Sequence, residues 1–60
     1  MEQEKIAEFI KKLRKENKLT QKDLADKYGV TYQAVSKWEN AKNLPDITLL
    51  IQMANDTSSP

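Results

Sequence analysis

The stretch LTQKDLADKYGVTYQAVSKWEN, from Leu19 to Asn40, holds two helix starts in succession, separated by the only glycine in the chain. Thr20 can cap the free amides of a helix that begins near residue 21, with Asp23 reaching back as a shorter stand-in for the usual glutamate. Leu19 and Leu24 stand where a hydrophobic staple needs them. The helix should run over about 21–28 and stop at Gly29, where the positive φ of a helix end meets no side-chain clash. Thr31 repeats the cap for a helix over about 32–39, with Val30 set against Val35 as a second staple.

Only Gly29, Val30 and Thr31 lie between these helices. So short a corner holds the second helix nearly perpendicular to the first, the geometry of a helix-turn-helix. On the second helix Val35 and Trp38 lie three apart on one side, and Gln33 and Lys37, four apart, lie almost opposite. Ser36 flanks that outer face and Tyr32 sits at its N-terminal edge. Ala25, a small residue facing the turn, lets the two helices approach closely.

Outward from this unit, apolar residues at Ile6, Phe9, Ile10 and Leu13, with Ala7 beside them, follow a 3.6-residue period and predict a first helix over about 4–17. Asn17 tolerates the left-handed conformation that a helix end often needs. Asn40 to Pro45 reads as a loop. Pro45-Asp46 suits the first turn of a fourth helix, over about 46–54, whose inner face would be Ile47, Leu50, Ile51 and Ala54. Asn55 to Pro60 holds no apolar residue, so 56–60 is expected to be a disordered tail. The reading is an all-α domain over 1–55. Its expected core is Ile6, Ile10, Leu13, Leu24, Ala25, Tyr28, Val30, Val35, Trp38, Ile47, Leu50 and Ile51.

Sixty residues bound one domain, which buries only about 60% of the surface its unfolded chain exposes. Without cysteine or histidine the chain has no disulfide and no usual zinc cluster, and no metal or other cofactor is expected. Catalysis would rest on carboxylates, lysines or hydroxyls; no paired carboxylates in a pocket and no phosphate-cradling glycine loop are legible, so an enzyme is not expected. A reducing, cytoplasmic location fits this composition. No signal-peptide pattern begins the chain and its longest apolar run, Ile47 to Met53, is broken by Thr48 and Gln52, so no membrane partner is expected. The net charge is +1. Eight of the ten basic residues nevertheless lie in residues 1–30, five of them between Lys11 and Lys18. They are compatible with a solubilising helix surface or with a polyanion contact.

A helix held across its neighbour can enter the major groove of B-form DNA. Gln33 can donate and accept at once to adenine; Lys37 can donate to guanine or to a phosphate; Ser36 can make shorter contacts. Tyr32 can set its ring on a thymine methyl or its hydroxyl on a phosphate. The register would be fixed by phosphate contacts from Gln21 and Lys22 at the N-terminus of one helix, and from Thr31, Asn40 and Lys42 around the other. Glu39 lies nearer the buried side, and its expected partner is Arg14, whose planar guanidinium suits a semi-buried, bidentate pair.

Residues 19–40 also resemble the helix-turn-helix of the Cro and cI-type phage repressor family, which includes many bacterial xenobiotic-response-element-type regulators. The resemblance spans about residues 5–54 and is carried by Thr20-Gln21, Leu24-Ala25, Gly29-Val30 and Val35 to Asn40. It implies a lambda-repressor-like domain, usually of five helices, that binds operator half-sites as a homodimer on DNA and most often represses; a monomeric free state is left open. It also implies that Gln21 clamps a phosphate and supports Gln33, that Tyr32, Gln33, Ser36 and Lys37 read bases, and that Asn40 and Lys42 contact the backbone. The family's arginine–glutamate bridge falls on Arg14 and Glu39. A fifth helix is missing or truncated here, which leaves the familiar dimer surface without its usual element. The alternative reading is a protein-interaction or antitoxin-like module, using a stripe at Leu49 and Met53.

Overall fold

The chain folds as four helices: α1 (Glu2–Glu16), α2 (Gln21–Tyr28), α3 (Tyr32–Glu39) and α4 (Ile47–Ser58). The computed structural model describes the backbone of residues 2–58 and the side chains of residues 2–56.

The first three helices end by one device. After α1 the amide of Leu19 bonds the Arg14 carbonyl at 2.9 Å and that of Lys18 bonds Lys15 at 3.1 Å. After α2, Val30 reaches Ala25 at 2.9 Å and Gly29 reaches Asp26; after α3, Lys42 reaches Lys37 at 2.9 Å and Ala41 reaches Trp38 at 3.1 Å. This paired pattern is the Schellman motif, which needs one left-handed residue. That residue is Lys18 (φ 57°), Gly29 (φ 68°) and Ala41 (φ 59°) in turn. The sequence reading placed the left-handed residue at Asn17. Asn17 instead turns its side-chain amide back to the Leu13 carbonyl at 2.8 Å.

Starts are equally local in origin. Thr20 and Asp23 form a reciprocal capping box, each side chain taking the other's backbone amide at 3.0 Å. Thr31 accepts the Ala34 amide at 3.2 Å. At α4 the cap is Asp46, whose carboxylate takes the Thr48 amide at 3.1 Å, so the helix begins one residue later than expected. α1 begins earlier than expected, with Glu2 and Glu4 in its first turn and Arg14 and Lys15 in its last, both favourable to the helix dipole.

One cluster holds these elements together: Ile10 and Leu13 from α1, Leu24 and Ala25 from α2, Val35 and Trp38 from α3, Met53 from α4. Burying each of the larger aliphatic side chains contributes about 1.5–3 kcal/mol. Ile6, Tyr28 and Val30 pack on the cluster half-buried, as do Phe9, Leu19 and Leu49. Leu50 is also half-buried.

The inner face of α4 needs correcting. Ile47 is 66% and Ile51 54% exposed, and Ala54 is exposed with them. Leu49 and Met53 face inward instead, roughly opposite on the helical wheel, and Met53 is fully buried. Periodicity alone could not choose, because both faces of this helix are apolar. A stripe at Leu49 and Met53 is therefore not exposed for a partner. α4 also continues to Ser58, into the stretch read as a disordered tail. The Tyr28 hydroxyl donates to Asp56 there, tying the last turns of α4 to the end of α2. Residues 59 and 60 lie outside the described residues.

Candidate nucleic-acid interface

α3 is oriented by what it buries. Val35 is fully buried and Trp38 is 6% exposed. Between them and α1 lies Glu39, the only charged residue buried among the described residues, also 6% exposed. Its carboxylate is fully engaged. Arg14 Nε donates to Oε2 at 2.6 Å and Nη2 to Oε1 at 3.0 Å, a bidentate fork. The remaining guanidinium nitrogen, Nη1, donates to the Leu19 carbonyl at 3.1 Å. Hydrogen bonding to Glu39 holds the Arg14 pKa above its ordinary value, against the opposing effect of burial.

Gln21 completes this knot. Its Nε2 donates to Glu39 Oε1 at 3.3 Å, so one carboxylate joins α1, the first residue of α2 and the end of α3. The sequence reading gives Gln21, at the N-terminus of this helix, the role of a phosphate clamp that also supports Gln33. The structure places it half-buried against Glu39 and gives it no bond to Gln33. The signal was present: Gln21, Leu24, Ala25 and Tyr28 share the spacing of one helix face.

With the inner side of α3 fixed, its outer side follows. Gln33 and Lys37 are exposed one turn apart, Tyr32 is 53% exposed at the helix start, and Ser36 is half-buried beside them. Lys22, Thr31, Asn40 and Lys42 are exposed as well. Two of these are also structural. Thr31 caps α3, and Asn40 folds its side-chain amide onto the Ser36 carbonyl at 2.8 Å. Lys42 is oriented by its backbone bond to Lys37, through the left-handed Ala41.

The arrangement is a short helix with an apolar inner side, a donor-rich outer side, and a rigid corner to the helix before it. A helix-turn-helix family model matches residues 10–57, which takes in all of α2 and α3, the C-terminal half of α1 and nearly all of α4. The chain belongs to the helix-turn-helix family, of the Cro and cI type. An uncharacterized HTH-type transcriptional regulator, YqaE of Bacillus subtilis (strain 168), is 43% identical over 50 residues, covering 83% of this chain. The match takes in 43% of that relative, so this helix-turn-helix chain spans less than half its length. No solved structure matches the chain. Among the described residues, no helix of this helix-turn-helix domain is long and apolar enough to cross a membrane.

Proposed function

We propose that the chain binds double-stranded DNA sequence-specifically, with α3 in the major groove, and acts as a transcriptional repressor. The observation that carries this reading is the outward Gln33–Lys37 face of a helix whose other side is locked by Val35, Trp38 and the Arg14–Glu39 pair. Tyr32, Gln33, Ser36 and Lys37 are the base-reading residues. Lys22, Thr31, Asn40 and Lys42 set the register on phosphates, and the backbone amides at the start of α2 add the positive end of a helix dipole. Gln21 acts mainly from behind, holding Glu39 and thereby α3. Family membership and the regulator named among the relatives support the same reading.

Two copies serve one operator in this proposal. The chain's longest dimension is 30 Å, and it offers a single reading helix, whereas successive major-groove half-sites lie about 34 Å apart. Binding would cover promoter DNA and so repress.

A base-resolved binding screen at physiological salt tests the proposal. Gln33→Ala should change which sequence is preferred, at a cost of about 1–3 kcal/mol for the original base. Lys42→Ala should weaken all sequences alike and reduce the logarithmic salt slope by about 1. A screen returning no preferred duplex would defeat it.

A further inference from the structure

Five basic residues crowd into Lys11 to Lys18, with Glu16 as the only acid among them. The structure sorts them. Arg14 is turned inward on Glu39, and Lys12 lies with Glu16 on the far side of the α1 wheel. That leaves Lys11 and Lys15, one turn apart on the strip next to Arg14, and Lys18 at the corner that leads into α2; all three are exposed. Among the described residues, none of the three pairs with a carboxylate.

We propose that Lys11, Lys15 and Lys18 form a track for the DNA phosphates that flank the bases read by α3, so that the end of α1 is a third contact element beside α2 and α3. Placement supports it. The Glu39 carboxylate gathers the end of α1, the first residue of α2 and the end of α3 at one point, so the Lys11–Lys15 strip adjoins the α2 start at which Lys22 and the free amides meet a phosphate in the reading above. The corner supplies an independent argument. Lys18 holds φ at 57°, the left-handed conformation that Gly29 adopts without a side chain. A lysine there is strained, and strain retained at an exposed position points to a use for the side chain. The dipole of α1 does not require it, because Arg14 and Lys15 already stand in the last turn.

Phosphate contacts of this kind carry no sequence information. The strip therefore adds affinity and salt dependence and lengthens the stretch of duplex covered, without changing which bases are preferred. The track rests on the DNA-binding reading for its partner, yet it acts on any duplex, so it stands or falls separately from base reading by α3.

Fluorescence anisotropy of the full 60-residue chain across a salt series tests it, on two labelled duplexes of about 20 base pairs, one selected by the binding screen and one of scrambled sequence. The triple variant Lys11→Gln, Lys15→Gln, Lys18→Gln should lower the logarithmic salt slope by about 2–3 on both duplexes, since each lost phosphate contact removes about 0.9, and should leave the affinity ratio between them unchanged. A control that removes the same charge from other exposed positions, Lys5→Gln, Lys12→Gln, Lys27→Gln, should keep the parent slope to within about 0.5. Lys18→Gly should melt higher than the parent yet bind both duplexes less tightly, with a slope about 0.9 smaller, which separates the contact from folding. Equal slopes in the triple variant and the control, or a Lys18→Gly chain that binds as the parent does, would overturn the track. A screen that selects nothing, with the slope on the scrambled duplex still falling in the triple variant, would end the base reading and uphold the track.

Discussion

Glu39 sits 6% exposed with its two oxygens shared between Arg14 and Gln21, and a charge so far from water is tolerated only while those partners stay. Removing Glu39 strands a guanidinium that is itself only partly solvated. Glu39→Ala should lower unfolding stability by about 3 kcal/mol, read by denaturant titration with Trp38 fluorescence as the probe. Gln21→Ala should cost less, about 1 kcal/mol, because a neutral donor is lost and the fork remains. Asp23 works at the opposite extreme of exposure. Its bond from the Thr20 backbone amide, with that from the Thr20 hydroxyl second, holds its pKa below the ordinary carboxylate value. A pKa depressed on folding adds stability above the unfolded value and loses it as pH falls through the folded one. The melting temperature of the parent should therefore drop more steeply than that of Asp23→Asn below about pH 4. Parallel curves would show that the capping box contributes nothing through charge.

Three helices share one way of ending but not one residue for it. Gly29 meets nothing within 4 Å of where a Cβ would stand, so its φ of 68° is the whole reason for a glycine there. Gly29→Ala should cost about 1 kcal/mol. Lys18 and Ala41 hold the same conformation with a side chain attached, and Lys18→Gly or Ala41→Gly should each raise stability by up to about 1 kcal/mol in thermal melts. Ala41 is the more consequential for the proposed contacts, since its left-handed turn carries the Lys42 amide back to the Lys37 carbonyl of α3. Loss of DNA affinity in a stabilised Ala41→Gly chain would mark that corner as tuned for contact rather than for folding.

Across the whole molecule, α4 is joined to the other helices through Met53 and Leu49 at the common core and through Tyr28 and Asp56 at the far end. Burial, and then the bond to Asp56, raise the Tyr28 pKa far above its ordinary value. The sign follows from linkage. A phenol whose pKa rises on folding stabilises fully below its unfolded value near 10 and loses that contribution as pH climbs beyond it. Alkaline titration should destabilise the parent above about pH 10 more than Tyr28→Phe, with tyrosinate absorbance following the loss of helix. A parent that melts no differently from Tyr28→Phe across that range would show the contact to be idle.

The two central helices were legible because their information is local. Thr20, Asp23, Gly29 and Thr31 act on backbone groups within five residues, so caps, corner and helix ends are written in adjacent letters. The inward turn of Val35 and Trp38 was legible for a related reason, since α3 has only one apolar side. The pairing of Arg14 with Glu39 spans 25 positions, yet two wheels and a chemical preference for a fork found it. What the sequence left open is where two solutions looked alike from nearby. α4 offered two apolar faces, and only the packing of Met53 into the common core chose between them. The bond from Gln21 to Glu39 was not legible either, because the buried carboxylate that receives it is delivered from another helix. Local hydrogen bonding by itself determined the elements and the corner between α2 and α3; competition for one small core decided which apolar surface was left uncovered.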